Sequence, residues 1–359
     1  MARVSEAAAG PEEKVHVRTD GSLGRLTLNR PQAINALDLD MIRALAEALD
    51  AWEHDTDLDT VLLDGAGERG LCAGGDVRGL YERTVAGDAE ASAVFFREEY
   101  ALNARIAEYP KPFVAFADGI TMGGGIGLAG HAALRIVTER SKLAMPETRI
   151  GFTPDVGGTW LLARAPGRLG EFLGLTGRTM DASDAVYAGF ADHFVPSASL
   201  EGLRDALQTR ADPSGPGELV LLFDETPEPS SLIAARGWID DAFAADSVPE
   251  IIGRLRARPE DEASATADLL EELSPTGLAV TLAAIRRVRT LPGLRDALAQ
   301  EYGLVMWFVT TQPDLAEGIR AQVIDKDRSP RWRPATLAEL PADAAASALS
   351  FTPAVPLWS

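Results

Sequence analysis

Residues 113–138 read FVAFADGITMGGGIGLAGHAALRIVT, and the reading of this stretch decides the fold. Residues 113–117 form a short apolar run closed by Asp118-Gly119, as a buried strand ends at a turn. Residues 125–133 are apolar on nearly every side, the pattern of a buried helix. Residues 134–138 return to strand composition. Strand, buried helix and strand in so short a span argue for a layered α/β core. Outward from it the pattern continues. Residues 15–18 and 25–29 flank the turn formers Asp20-Gly21-Ser22-Leu23-Gly24, which predicts a hairpin. Asp38 stands where it caps a helix whose Met41, Leu45, Leu49 and Trp52 share one face. Residues 60–63 and 142–144 read as strands, and 94–107 as a helix.

The text changes character near residue 200, after which helical patterns dominate. Helices are expected at 264–272, 275–288, 294–309 and 314–323, packed outside the core or onto a partner subunit. The breaker-rich Asp212-Pro213-Ser214-Gly215-Pro216-Gly217 reads as a connector. The organisation expected is a core over 12–200, a mainly helical region over 201–335 and a motif-free tail over 336–359.

Composition excludes several classes. Of 359 residues, 46% are apolar and 25% charged, enough apolar material for a folded core. Lys plus Arg number 34 against 54 Asp plus Glu, a net charge of −20, which argues against a nucleic-acid binder. A single cysteine excludes intramolecular disulfides and multi-cysteine zinc modules. The four histidines, His16, His54, His131 and His193, show no metal-ligand spacing, and no metal site is expected. No apolar run reaches the ~18 residues of a membrane span. The first fifteen residues carry acids and lack a signal-peptide apolar stretch, so a frayed terminus and a cytoplasmic location are expected.

Two glycine patterns invite a dinucleotide-site reading. Gly65-Ala66-Gly67-Glu68-Arg69-Gly70 follows a strand but leads into more loop, Leu71-Cys72-Ala73-Gly74-Gly75-Asp76, where a pyrophosphate site needs a helix to open. Gly125-Ile126-Gly127-Leu128-Ala129-Gly130 lies inside an apolar helix. The two stretches make more sense together. Glycine lets a backbone N–H approach a ligand unobstructed, and one N–H from each loop aimed at one carbonyl oxygen makes an oxyanion hole. Tight turns and close helix packing are the plain alternative for the glycines alone.

These residues resemble the crotonase superfamily, the enoyl-CoA hydratase/isomerase family. The matching text is Leu28-Asn29-Arg30-Pro31 with Asn35-Ala36-Leu37, then Cys72-Ala73-Gly74-Gly75-Asp76, then Ile120-Thr121-Met122-Gly123-Gly124-Gly125. It continues through Ala144-Met145-Pro146-Glu147-Thr148 and Gly151-Phe152-Thr153-Pro154-Asp155-Val156-Gly157-Gly158. Within the superfamily the likeness is strongest to the 3-hydroxyisobutyryl-CoA hydrolase subfamily. It adds Phe95-Phe96-Arg97-Glu98-Glu99-Tyr100 and Ile324-Asp325-Lys326-Asp327-Arg328-Ser329-Pro330-Arg331-Trp332, and runs from about residue 15 to 335.

The resemblance implies a spiral of ββα units with a C-terminal helical region. It implies that the N–H groups of Gly75 and Gly124 form an oxyanion hole for an acyl-CoA thioester. Gly75, Asp76 and Val77 would lie against the CoA adenine, and Glu99, Glu147 and Asp155 would be the acidic groups at the substrate. Hydratases of the superfamily carry a second catalytic glutamate three residues after the oxyanion glycine, where this chain has Gly127. Adding water across a double bond benefits from two positioned acid/base groups, so thioester hydrolysis is favoured over hydration. The expected reaction is hydrolysis of a short branched 3-hydroxyacyl-CoA, with 3-hydroxyisobutyryl-CoA of valine catabolism as the substrate. Its alternatives are an enoyl-CoA hydratase or isomerase and a non-catalytic acyl-CoA binder. Glu147 fits two roles, general base toward water or direct nucleophile. Glu99 is expected at the substrate's hydroxyl. No cofactor is expected, since coenzyme A is part of the substrate; Arg30, Arg69 and Lys111 are candidate cations for its phosphates. Related folds assemble as trimers or hexamers, so a homo-oligomer is one expectation, and a site covered by the chain's own helical tail is the other. Cys72, with no histidine beside it, is expected to be a buried hydrophobe, and His131 a satisfied core histidine.

Overall fold

The computed structural model of the chain describes residues 13–209 and 215–358. The N-terminal reading and residues 212–214 of the connector therefore lie outside the described residues. The strands are β1 (Val15–Asp20), β2 (Leu23–Leu28), β3 (Thr60–Gly65), β4 (Phe113–Ala117), β5 (Ile120–Met122), β6 (Leu134–Val137), β7 (Lys142–Ala144) and β8 (His193–Phe194). Helices α1 (Leu39–Trp52), α2 (Val77–Ala86), α3 (Ala89–Ala107), α4 (Gly124–Ala129), α5 (Gly158–Arg164), α6 (Leu169–Thr176) and α7 (Ala182–Ala188) are interleaved with them. The helical region adds α8 (Leu200–Thr209), α9 (Pro216–Leu221), α10 (Ser231–Phe243), α11 (Val248–Arg256), α12 (Asp261–Glu272), α13 (Pro275–Val288), α14 (Leu294–Thr311), α15 (Asp314–Ile319) and α16 (Ala344–Ser350).

The main sheet runs β1-β2-β3-β4-β6-β8; β1 and β2 pair antiparallel, and every later neighbour is parallel. A second ribbon pairs β5 with β7, also parallel. It is extended by the bridges Cys72↔Thr121 and Leu143↔Met180. Each turn of the chain thus lays one strand in the main sheet, one short segment in the second ribbon, then helix. This is the spiral of ββα units. Parallel strands covered on both faces need apolar residues without alternation, and β3 supplies Val61, Leu62 and Leu63, all fully buried. Leu62, Val114 and Ile136 pack to one face of the sheet, and Val61, Leu63, Ala115 and Val137 to the other.

The hairpin turn is tighter than expected, because both strands run up to a two-residue loop, Gly21-Ser22, with Gly21 at φ +62°. The buried helix after the glycines ends at Ala129, and the last tail helix gives way at Arg320–Ile324 to a π turn. Pro216 and Gly217, read as connector, open α9. The tail helices do not lie outside the core. α13 packs on α5 and α6, and α14 on α3. One hydrophobic cluster runs from Val15 through α13 and α14 to Leu357. The reason is in α14 itself, which buries every residue from Glu301 to Val309 and so is enclosed on all faces over more than two turns.

Asp38 caps α1 as its position suggests: its carboxylate accepts from the Met41 N–H at 3.0 Å. Asp38→Ala should cost about 1 kcal/mol of stability, read as a lowered urea midpoint with an unchanged slope; an unmoved midpoint would show that the cap contributes nothing.

Candidate active site

The site follows from register. In the second ribbon Cys72 pairs in parallel with Thr121, and Thr121 with Leu143. Equal offsets along parallel strands end side by side. Gly75 stands three residues beyond Cys72, Gly124 three beyond Thr121, and Glu147 four beyond Leu143. All three therefore reach the same end of the ribbon. A Cβ built on Gly124 would lie 3.2 Å from the Gly75 nitrogen and 2.7 Å from Glu99 Oε1, so a larger residue there would crowd the Gly75 amide and push the Glu99 carboxylate aside. Gly74 and Gly123, the residues just before the two amides, sit at φ +116° and +48°, conformations that favour glycine. Neither the Gly75 nor the Gly124 N–H has a hydrogen-bond acceptor among the described residues.

These amides open on a cavity of about 280 Å³, near the lower end of the ~300–1,000 Å³ of small-molecule sites. Its walls are the 73–77 loop, Leu80 of α2, Phe95, Phe96 and Glu99 of α3, Phe152, and Gln322 and Val323 of the π turn. That is room for a short acyl group and its ester, with the rest of a large thiol ester outside. Glu147 and Asp155 complete the lining. Glu147 Oε1 would lie 3.1 Å from a Cβ on Gly123, which sets this carboxylate beside the Gly124 amide.

Burial sets the electrostatics. Glu99, Glu147 and Asp155 are 2%, 7% and 6% exposed, and a fourth carboxylate, Glu301 of α14, is fully buried nearby. No lysine or arginine pairs with any of the four among the described residues. Desolvation therefore pushes all four pKa values up. Asp155 rises to about 7 even though the Tyr100 hydroxyl donates to it at 2.8 Å. Glu301 rises to about 8. Glu99 and Glu147 rise well above the carboxylate range, through burial first and the Asp155 charge second. Glu99 Oε1 and Glu147 Oε2 are buried without a protein partner, so each is free to meet a ligand.

Other sequence candidates have structural duties. The Asp76 carboxylate accepts from the Gly79 N–H and caps α2, although Asp76 and Val77 also line the cavity. Arg30 donates to the Ala36 carbonyl, Arg69 to the Pro31 and Gln32 carbonyls, and Lys111 to the Trp52 and Asp55 carbonyls. Cys72 is fully buried with its thiol pushed up to about 12, so it is no nucleophile. His131, lowered to about 4 by burial, meets the Val156 carbonyl through Nε2 at 2.8 Å. The glycines at 65–70 are followed by loop as far as Val77, and no helix opens on them. At Gly127 a Cβ would lie 2.7 Å from Val156 Cβ and 2.9 Å from Asn103 Nδ2, so the site has no room for a side chain there.

Two residues behind the cavity, Tyr100 on the Asp155 carboxylate and Glu301 on the turn after it, have no role assigned from the sequence. Tyr100 follows Glu99 directly. Glu301 had a signal, since Ala297, Leu298, Leu304, Val305 and Phe308 form a buried helical face into which an acid at 301 falls.

Residues 23–349 match the family described as Enoyl-CoA hydratase/isomerase, and the chain belongs to that family. A Danio rerio protein named "3-hydroxyisobutyryl-CoA hydrolase, mitochondrial" is 43% identical over 326 residues, 89% of this chain and 84% of its own. Two solved structures are similar throughout. One, titled a carnitinyl-CoA dehydratase from Mycobacterium thermoresistibile, is 45% identical with a TM-score of 0.91, covering 96% of this chain and 98% of its own. The other, titled an enoyl-CoA hydratase from Rhodobacter sphaeroides 2.4.1, is 43% identical with a TM-score of 0.88, covering 94% and 97%. No described helix is long and apolar enough to cross a membrane.

The raised Asp155 pKa has a consequence for stability. Between its ordinary carboxylate value and about 7, the folded chain holds a proton that the unfolded chain has released. Stability therefore falls as pH rises through that window. Asn at 155 has no such dependence. Asp155→Asn should match the wild type in unfolding free energy near the acid end and exceed it above pH 7, by on the order of a few kcal/mol, with Tm moving in the same sense. A Tm difference that does not change with pH would contradict the burial account.

Proposed function

We propose that this chain hydrolyses the thioester of a short branched 3-hydroxyacyl-CoA, with 3-hydroxyisobutyryl-CoA of valine catabolism as its substrate. The observation that carries the reading is the pair of acceptor-free amides, Gly75 and Gly124, meeting beside the Glu147 carboxylate at the end of an apolar cavity. The hydrolase name of the Danio rerio relative supports it.

The chemistry runs on the chain's own groups. The thioester oxygen sits between the two amides, which stabilise the negative charge that grows on it as water attacks the carbonyl carbon. Removing one such donor typically costs about 10²–10³ in rate. Glu147, beside the Gly124 amide, takes the proton of the attacking water. In its ionised form, the buried Glu147 is a stronger base than a surface carboxylate. Collapse of the tetrahedral intermediate breaks the C–S bond. Asp155, which holds a proton at neutral pH more readily than a surface aspartate, gives it to the departing thiolate. The products are the free hydroxy acid and CoA thiol. Glu99, with Oε1 unpartnered beside Gly124, accepts the substrate's hydroxyl.

The titles of the two structural neighbours point to hydration or dehydration, and Gly127 weighs against that reading here. A second acid would have to rise from a position where Val156 and Asn103 already occupy the space of a first carbon. The test is thiol release from a panel of acyl-CoAs. The wild type should release thiol from 3-hydroxyacyl-CoA. Glu147→Gln and Asp155→Asn should each lose at least ~10² in kcat. Loss of enoyl absorbance without thiol release, or full hydrolysis by Glu147→Gln, would overturn the assignment.

A further inference from the structure

Asp155 reaches the cavity from a turn of unusual geometry. Val156, the next residue, sits at φ +52°, and Gly157 at +78°. Left-handed backbone at a β-branched residue is a steric outlier, and such conformations persist only where the surroundings enforce them. Here three contacts enforce it. The Gly158 N–H donates to the Asp155 carbonyl at 2.6 Å. His131 holds the Val156 carbonyl, and its ring packs so close to Gly157 that no side chain would fit there. The third is Glu301. Its carboxylate accepts from the Gly157 N–H at 2.6 Å, from the Thr159 N–H at 2.9 Å and from the Thr159 hydroxyl.

Glu301 comes from the middle of α14, among apolar neighbours and away from the cavity lining. A carboxylate in such a place is costly unless its oxygens are used; here Oε2 holds the Gly157 N–H of this turn and Oε1 holds Thr159 in the first turn of α5, which leads directly out of it. We infer that Glu301 is a positioning residue: it clamps the strained Asp155-Val156-Gly157 turn from α14 and so fixes the Asp155 carboxyl in the cavity. Without the clamp Val156 relaxes toward right-handed backbone and swings Asp155 off its line to the substrate. The helical region is then coupled to the chemistry through hydrogen bonds as well as through packing. The inference rests on the role given to Asp155 above.

The experiment is a double-mutant cycle. Glu301→Gln leaves one oxygen acceptor and sets an amide NH₂ against the N–H donors. With folding verified by Tm, it should lower kcat for thiol release by roughly 10–100-fold, the scale of small misplacements. KM should stay within about twofold, since a positioning loss falls on kcat. In an Asp155→Asn background it should cost nothing further. Thr159→Val, which removes only the hydroxyl donor, should lose kcat in the same Asp155-dependent way, and Thr159→Ser should retain it. The Thr159 pair decides the matter if Glu301→Gln does not fold. Wild-type kcat in Glu301→Gln, or equal losses with and without Asp155, would overturn the inference and leave the role of Asp155 standing. An unchanged kcat for Asp155→Asn alone would overturn both.

Discussion

The structure depends on the parallel register of three short segments. Cys72, Thr121 and Leu143 are neighbours in the second ribbon, and the chain leaves each of them in the same direction. In a parallel arrangement whatever follows each strand gathers at one end. Here that end receives Gly75, Gly124 and Glu147. The donors of the proposed hole are main-chain groups, so their placement is set by register and not by rotamers. Glycine at 124 keeps this approach open, since a side chain there would displace the Glu99 carboxylate and crowd the neighbouring amide.

Around that backbone frame the chain buries four carboxylates, and among the described residues none of them is paired with a lysine or arginine. Stability alone would not select this, because desolvation penalises each charge. The arrangement makes sense as a store of protons near neutral pH: groups whose pKa values are raised can give and take protons where surface carboxylates cannot. The cost is offset by the extent of the apolar core, which takes in α13 and α14 as full members. The helical region thus closes the core, supplies Gln322 and Val323 to the cavity wall and sends Glu301 to the turn beside the site.

Much of this was legible in the sequence where the signal was local. The strand at 113–117, the helix at 275–288 and the cap at Asp38 came from composition and periodicity. The glycines and acids of the site came from ordered motifs that resemble a known family. What escaped was set by tertiary context. Helix α6 buries all eight of its residues, so it shows no polar face by which to recognise it. The polar positions of the tail helices fit packing outside the core or onto a partner subunit, whereas α14 is enclosed in the core. Glu301 acts on backbone N–H groups 142 and 144 residues away in sequence, and no local pattern encodes such a contact. The strain at Val156 was equally silent, since valine gives no hint of left-handed backbone.

The central claim is that one ester oxygen lies between two main-chain amides with Glu147 beside its carbon. The most direct measurement is a crystal structure of Glu147→Gln bound to an uncleaved 3-hydroxyacyl-CoA. The account predicts the thioester oxygen within about 2.7–3.1 Å of both the Gly75 and Gly124 nitrogens, with the side chain at 147 facing the carbonyl carbon. A thioester bound in the cavity with its oxygen turned away from those amides would contradict it.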